Sequence, residues 1–229
     1  MSSKRTKKHL SLFLDAATPF FYIAIKELES GVVIERHYDH SELKGEALLS
    51  IVKGIFEERD YDVNDIAYLC TTKGPGSLTG LRIAMSIVKT MAQILNIPIV
   101  CIPTLFALER SYVIERNTHH NRVMTCLTAR KNCFYVRCSG NNDDGFKQLS
   151  SETLCQAVKN VTIVLWAEGC VPFEGCDKRN VNFVIVKLSP EVIFELCEEK
   201  YHKREYFNYL DCRPEYAGKS VAEKNFENK

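Results

Sequence analysis

The segment richest in chemical content is Gly74-Pro75-Gly76-Ser77-Leu78-Thr79-Gly80-Leu81-Arg82, set between an apolar run and an amphipathic one. Glycines where a strand enters a helix leave backbone N–H groups and the positive end of the helix dipole free to face an anion. Ser77 suits the helix N-cap, its hydroxyl accepting from a first-turn N–H that has no partner inside the helix. The spacing, however, is G-x-G-x-x-x-G, and Leu81-Arg82 stand where an ATPase phosphate loop carries lysine and serine. The same glycines suit a tight turn with close helix packing at Gly80. On the residues alone, the turn is favoured over phosphate binding.

The other groups able to do chemistry are histidines and cysteines. His37 and His40 are three apart at a strand end with no carboxylate-rich segment beside them, and His119 and His120 are adjacent, so their side chains would diverge in a strand. All four read as surface histidines, and no metal site is expected. The ten cysteines contain no C-x-x-C, which leaves a zinc ribbon or a thioredoxin-like site without its spacing. Several lie in β-like runs (Cys101, Cys126, Cys138), where cysteine behaves as a small buried hydrophobe, so reduced core thiols are expected. Met1–His9 is basic and polar without the apolar centre of a signal peptide, and runs such as Ile97–Cys101 are too short to cross a bilayer. That pattern predicts a cytoplasmic protein without membrane attachment. With 30 basic and 29 acidic residues in 229, no broad nucleic-acid footprint is expected, although Lys4–Lys8 form a short basic stretch.

Positioning these groups requires a series of elements that hydrophobic periodicity and turn residues lay out. Strands are predicted over Leu10–Asp15, Phe20–Glu27 and Val32–Tyr38, then a helix from Ser41. A strand at Ile66–Thr71 leads through the glycine loop into a helix at Leu78–Leu95, followed by a strand at Ile97–Ile102 and a helix at Thr104–Arg116. The order is a meander followed by strand–helix alternation, which predicts a mixed sheet with helices on its faces. From Arg122 the pattern restarts. Leu14–Ile23 aligns without gaps with Leu127–Val136, leucine, alanine, phenylalanine and tyrosine coinciding. A second set follows: a helix at Glu152–Lys159, strands at Val161–Trp166 and Val181–Leu188, and a helix from Pro190. Two similar α/β lobes are expected, 1–110 and 111–229. A duplicated unit of this order is the architecture of the actin-like, sugar-kinase-like superfamily with its ribonuclease H-like halves, in which nucleotide binds between the copies.

The glycine segment, extended to Ile83, resembles the GPGSFTGLRIG hallmark of the TsaB (YeaZ) family. Leu14–Pro19 is similar to that family's opening strand and turn. His40-Ser41, Ile97-Pro98, Pro103-Thr104-Leu105, Ala129-Arg130 with Phe134-Tyr135, and Pro214-x-Tyr216 supply further points of similarity from residue 14 to 216. The resemblance implies an actin-like two-lobed fold and a part in making threonylcarbamoyladenosine at position 37 of tRNAs that read ANN codons. It implies a non-catalytic subunit that pairs with a TsaD-like transferase and a TsaE-like ATPase, or self-associates as a dimer, and meets tRNA only through the complex. Docking would use the helices at 42–58 and 78–95, with Ile51, Ile55, Met85 and Lys89 bordering the interface.

Individual positions sharpen that implication. TsaD-like subunits carry H-x-x-x-H on the helix after the Ile97–Ile102 strand, and histidines at i and i+4 share a helical face and can hold one metal ion. Here those positions are Thr104 and Leu108. Active members of the fold present D-x-G-[ST] at the first hairpin; this chain keeps Asp15 and Thr18 but has Ala17 for the glycine, and Thr128 where an aspartate is common. No cofactor is required on this reading. Any weak ATP, ADP or anion site would draw on Asp15, Thr18, Gly74, Gly76, Ser77 and Gly80. The competing expectation is a stand-alone nucleotide-binding or ATP-hydrolysing enzyme of the same fold.

Overall fold

The computed structural model describes residues 8–117, 122–139, 145–170 and 181–216. His119, His120, Cys176 and most of the basic Lys4–Lys8 stretch lie outside the described residues. Two five-stranded mixed sheets form the frame. In the first, β1 (Leu10–Asp15) pairs antiparallel with β2 (Phe20–Glu27), and β2 with β3 (Val33–Asp39); β4 (Ile66–Thr72) and β5 (Ile99–Ile102) extend the sheet in parallel on the other side of β1. The second sheet repeats this with β6 (Val123–Arg130), β7 (Cys133–Cys138), β8 (Lys147–Ser150), β9 (Ile163–Ala167) and β10 (Asn182–Val186), in the same spatial order. The molecule is therefore a duplicated α/β protein.

The copies differ at their first hairpin. β1 and β2 keep one register through Leu14–Ile23, whereas a bulge between Thr128 and Arg130 shifts β6 by one residue, so that Leu127 faces Tyr135 rather than Val136. The second turn is also shorter and places Asn132 in the left-handed region, at φ 59°. A gapless alignment of the two hairpins hides that shift, because an inserted bulge residue changes pairing without changing length.

Helices α1 (Leu48–Glu58) and α2 (Leu78–Leu95) cover one face of the first sheet. The helix expected from Ser41 begins later, after a short 3-10 turn at Gly45–Ala47. Asp39 accepts both the N–H and the hydroxyl of Ser41, which ties that residue into a turn and removes it as a cap. α2 is long and apolar enough, by length and composition, to cross a membrane; here it lays Leu81, Ala84, Met85, Val88 and Ala92 onto the protein's own core.

Helices α3 (Thr104–Arg116) and α5 (Pro190–His202) pack between the sheets, while α4 (Ser151–Val158) lies on the second sheet alone. One apolar core runs from Phe13, Tyr68 and Val100 of the first sheet through Leu105, Leu108 and Phe194 to Leu127 and Trp166 of the second. The division at 110 is thus crossed by chain and by packing. α3 spans it, and α5, in the sequence of the second lobe, contacts β1 and β5 and pairs Glu198 with Lys26 at 2.8 Å. Within this core the Arg137 guanidinium on β7 meets Glu109 of α3 and lies over the Phe106 ring, both ion-pair members being buried.

After α5 the chain wraps around the edge of the first sheet as a strap, residues 205–216. Phe207 exchanges both backbone hydrogen bonds with Ile99 of β5, covering an edge that would otherwise be open. Eight of the described cysteines are free thiols, six of them buried, as expected for core residues. Cys155 departs from that expectation and is disulfide-bonded.

Candidate functional site

The parallel strands β1 and β4 end side by side, so Asp15 and Thr72 meet at their C-terminal tips. That end of a parallel sheet is where α/β proteins hold ligands. The Asp15 carboxylate is 2% exposed. It accepts the Ala17 N–H at 3.0 Å and the Thr72 hydroxyl, which in turn accepts the Thr104 hydroxyl at 3.0 Å. Burial raises the Asp15 pKa to about 6, against the opposing pull of these hydrogen bonds. Thr18 is buried as well, and its hydroxyl accepts the Phe20 N–H at 3.3 Å. Both residues are therefore engaged in holding their own turn.

The glycine loop lies directly against that turn. A Cβ at Gly76 would sit 2.4 Å from the Ala17 carbonyl oxygen, and one at Gly80 only 1.8 Å from that of Ala16. Real Cβ atoms do not approach so closely, so the two glycines are the condition for seating the 15–18 turn on the start of α2. Gly74, at φ 108°, has the Glu215 carbonyl at its back. The amides are also in use: the Ser77 N–H donates to the Ala17 carbonyl at 2.7 Å, and the Ser77 hydroxyl caps α2 by accepting the Gly80 N–H at 3.1 Å. The structure brings Asp15, Thr18, Gly74, Gly76, Ser77 and Gly80 together, and their hydrogen bonds run to one another, to the Thr72 hydroxyl and to the chain's own backbone.

From the second lobe, Glu168 and Gly169 follow β9 and reach the same turn. A Cβ on Gly169 (φ 75°) would lie 2.9 Å from Pro19 and 3.0 Å from Phe20. The Tyr22 hydroxyl donates to Glu168 at 3.5 Å, and burial together with the Glu168 charge pushes the Tyr22 pKa up. Thr104 and Leu108 are fully buried on the inward side of α3. Among the described residues no three His, Cys, Asp or Glu side chains come together to hold a metal ion. His40, expected at the surface, instead sets its ring against Phe21 at a tilt, with centroids 4.1 Å apart, and buries Nε2 without a partner, and burial lowers its pKa.

Thr72 and the strap were not singled out by sequence reasoning. Thr72 gave no signal, since the strand predicted from the sequence stops one residue short of it, at Thr71. The Pro214-x-Tyr216 similarity does point to the strap: Tyr216 lies 6.0 Å beneath the Arg82 guanidinium, and the Glu215 N–H donates to the Lys73 carbonyl at 2.6 Å. Both ends of the glycine segment are therefore tied to the C-terminal motif.

The expected interface residues divide by exposure. Ile55 and Met85 are 3% and 4% exposed and face the first sheet, which corrects the expectation that they border a partner. Ile51 is half-buried, and Lys89, also half-buried, donates to the Cys212 carbonyl at 3.0 Å. Outward-facing apolar side chains are found elsewhere on the same two helices, at Leu49 (50% exposed) and Ile94 (76%). A groove of about 390 Å³ between α1 and α2 is lined by Leu49, Val52, Phe56, Tyr61, Val63 and Met91, with Lys53 and Glu57 at its margin.

Fold and site together define a duplicated α/β protein whose inter-lobe turn is packed against its own glycine loop. The family described as TsaD, tRNA N6-adenosine threonylcarbamoyltransferase, matches residues 36–167, more than half of the chain. The chain belongs to that family, as a member of its TsaB/YeaZ type. Among its curated relatives is the tRNA threonylcarbamoyladenosine biosynthesis protein TsaB of Buchnera aphidicola from Acyrthosiphon pisum, 21% identical over 179 residues that cover 71% of this chain and 80% of the relative. Two solved structures from Pseudomonas aeruginosa share the fold. One, described as similar to peptidase YeaZ, has a TM-score of 0.71 at 20% identity and covers 92% of this chain and all of that one. The other, YeaZ itself, has a TM-score of 0.69 at 19% identity and covers 91% and 99%.

Proposed function

We propose that this chain is a non-catalytic subunit of the machinery that installs the threonylcarbamoyl group on adenosine 37 of tRNAs reading ANN codons. It supports a TsaD-type transferase subunit and works beside a TsaE-type ATPase. The family and the TsaB relatives support the process. The observation that carries the non-catalytic part is the packing at the first turn. Gly76, Gly80 and Gly169 press directly on residues 16–20, and Thr104 and Leu108 fill the positions where an H-x-x-x-H pair would grip a metal. Docking is assigned to the groove between α1 and α2, whose exposed Leu49 offers an apolar anchor and whose Lys53 and Glu57 supply a polar rim. The same surface suits a homodimer when the partner is absent. A net charge of +1 fits a subunit that meets tRNA through its partner in the cytoplasm.

A second reading, nucleotide handling by this chain alone, is favoured by one feature: Asp15 is retained as a buried carboxylate that ionises near pH 6. Two measurements separate the readings. Threonylcarbamoyladenosine formation is followed with a TsaD-type subunit, an adenylate-forming synthase, a TsaE-type ATPase and an ANN-reading tRNA, with and without this chain. Modification is expected to depend on the chain; equal modification without it refutes the assignment. Titration calorimetry with ATP and ADP is expected to give no saturable heat, and tight binding with turnover would establish the enzyme reading instead.

A further inference from the structure

Cys101 on β5 and Cys212 in the strap are 111 residues apart in sequence, yet their sulfurs lie 3.2 Å from each other. The Cys212 sulfur also lies 3.2 Å from Met85 Sδ, which places the pair between the edge of the first sheet and α2. Both cysteines are free thiols, 5% and 1% exposed. Cys101 also lines a groove of about 550 Å³ that opens beside Phe106, Tyr206 and Phe207 and lets a small molecule approach the pair from the Cys101 side. The thiols are electronically unequal. The sulfur–sulfur contact and burial push the Cys101 pKa up, whereas that contact, with the Lys89 charge nearby, lowers that of Cys212.

We propose that Cys101 and Cys212 form a redox-modified dithiol, oxidised by peroxide to a disulfide that locks the strap over the edge of β5 and onto α2. The sulfurs must close by about 1.2 Å to reach the bond length of a disulfide. In the first step the Cys212 thiolate attacks one oxygen of hydrogen peroxide. An S–O bond forms, the O–O bond breaks, and the departing hydroxide takes a proton and leaves as water, giving a sulfenic acid. The Cys101 thiolate then attacks that sulfur: the S–S bond forms, the S–O bond breaks, and a second water leaves. Each sulfur has lost one electron, and peroxide has been reduced to two waters that carry both thiol protons. A thiol reductant reverses the change.

The consequence is local. In the thiol form the strap is held by the Phe207–Ile99 backbone pair, by Lys89 on the Cys212 carbonyl and by the Glu215 N–H on the Lys73 carbonyl. Its side chains Tyr206, Phe207 and Leu210 remain 42%, 40% and 64% exposed, which makes them suitable chymotrypsin sites once the strap lifts. A covalent tie at Cys212 suppresses that lifting. The latch stands independently of the assigned function.

The test uses the full-length protein, treated or not with hydrogen peroxide, then denatured, capped with a maleimide and digested without reduction. Mass spectrometry is expected to find a peptide joining Cys101 to Cys212, together with loss of maleimide at both. Chymotrypsin cleavage at 206–210 in the native protein should slow by at least ~10-fold and recover after thiol reductant. Cys212→Ser should show no peroxide-dependent slowing. Because the linkage is mapped in the parent chain, the result stands even if that variant folds poorly. Joining of either cysteine to a different one, continued capping of both, or a disulfide that leaves cleavage unchanged would each overturn the proposal.

Discussion

Replacing Gly80 by alanine tests whether the glycine loop is a packing device. In the interior of a helix this change is normally favourable by about 1 kcal/mol, because alanine has the better propensity. At Gly80 the added Cβ would lie 1.8 Å from the Ala16 carbonyl oxygen and 2.8 Å from its carbon, so the turn and α2 must part by roughly 1.6 Å to restore ordinary contact. Both sides are backbone, which places the strain near the upper end of overpacking costs, about 3 kcal/mol. Separation also breaks the 2.7 Å bond from the Ser77 N–H to the Ala17 carbonyl, worth about 1 kcal/mol. Against the propensity gain, a net loss of about 3 kcal/mol is expected. Urea unfolding followed by circular dichroism measures it, with Gly54→Ala as the control. Gly54 lies exposed in α1 with nothing within 4 Å of its Cβ position, so there the change should stabilise by about 0.8 kcal/mol. Should Gly80→Ala prove as stable as the parent, the close-packing account of this loop is wrong.

The buried Asp15 sets a pH dependence. Its native pKa of about 6 lies above the ordinary 3.8, so the folded state binds the extra proton and stability should fall as pH rises from about 4 to 6, then level off. The fall amounts to at most about 3 kcal/mol, and Asp15→Asn should flatten it in denaturation curves taken across that range. Arg137→Met leaves Glu109 buried without its partner and should cost about 3–5 kcal/mol, with much of the loss recovered when Glu109→Leu is added, as thermal and urea unfolding of the single and double variants will show. Leu49→Asp should leave stability within about 0.5 kcal/mol of the parent while weakening capture of a TsaD-type subunit at least ~10-fold in a binding assay. Ile55→Ala should do the reverse, losing about 2–5 kcal/mol of stability, because that side chain faces the sheet.

The elements themselves were legible because their signals are local. Alternation and turn residues located β1 and β2 at their observed bounds, and the apolar stripe with its Ser77 cap located α2. Helix α3 was equally plain, and the restart at Arg122 exposed the duplication that the two sheets display. Where a local signal was outvoted, the cause is specific. Asp39 captured Ser41 and delayed α1, and the bulge at Thr128–Arg130 shifted a hairpin whose residues matched the first copy.

The amino-acid sequence by itself determined the order of strands and helices, the doubled architecture and the family, because periodicity, caps and a short motif are carried by residues close together in the chain. It favoured a turn over an anion site at Gly76 and Gly80 but could not say what the glycines make room for. That depends on which atoms occupy the missing Cβ space, and those atoms belong to Ala16 and Ala17, about sixty residues earlier. Nor could a helical wheel say which stripe of α1 and α2 meets the sheet; packing turned Ile55 and Met85 inward and left Leu49 and Ile94 outside. Only the tertiary structure carried Cys212 around the sheet edge to Cys101 and set Glu168 and Gly169 on the first turn. Each of these is a contact between distant segments, and its geometry is decided by how the layers pack.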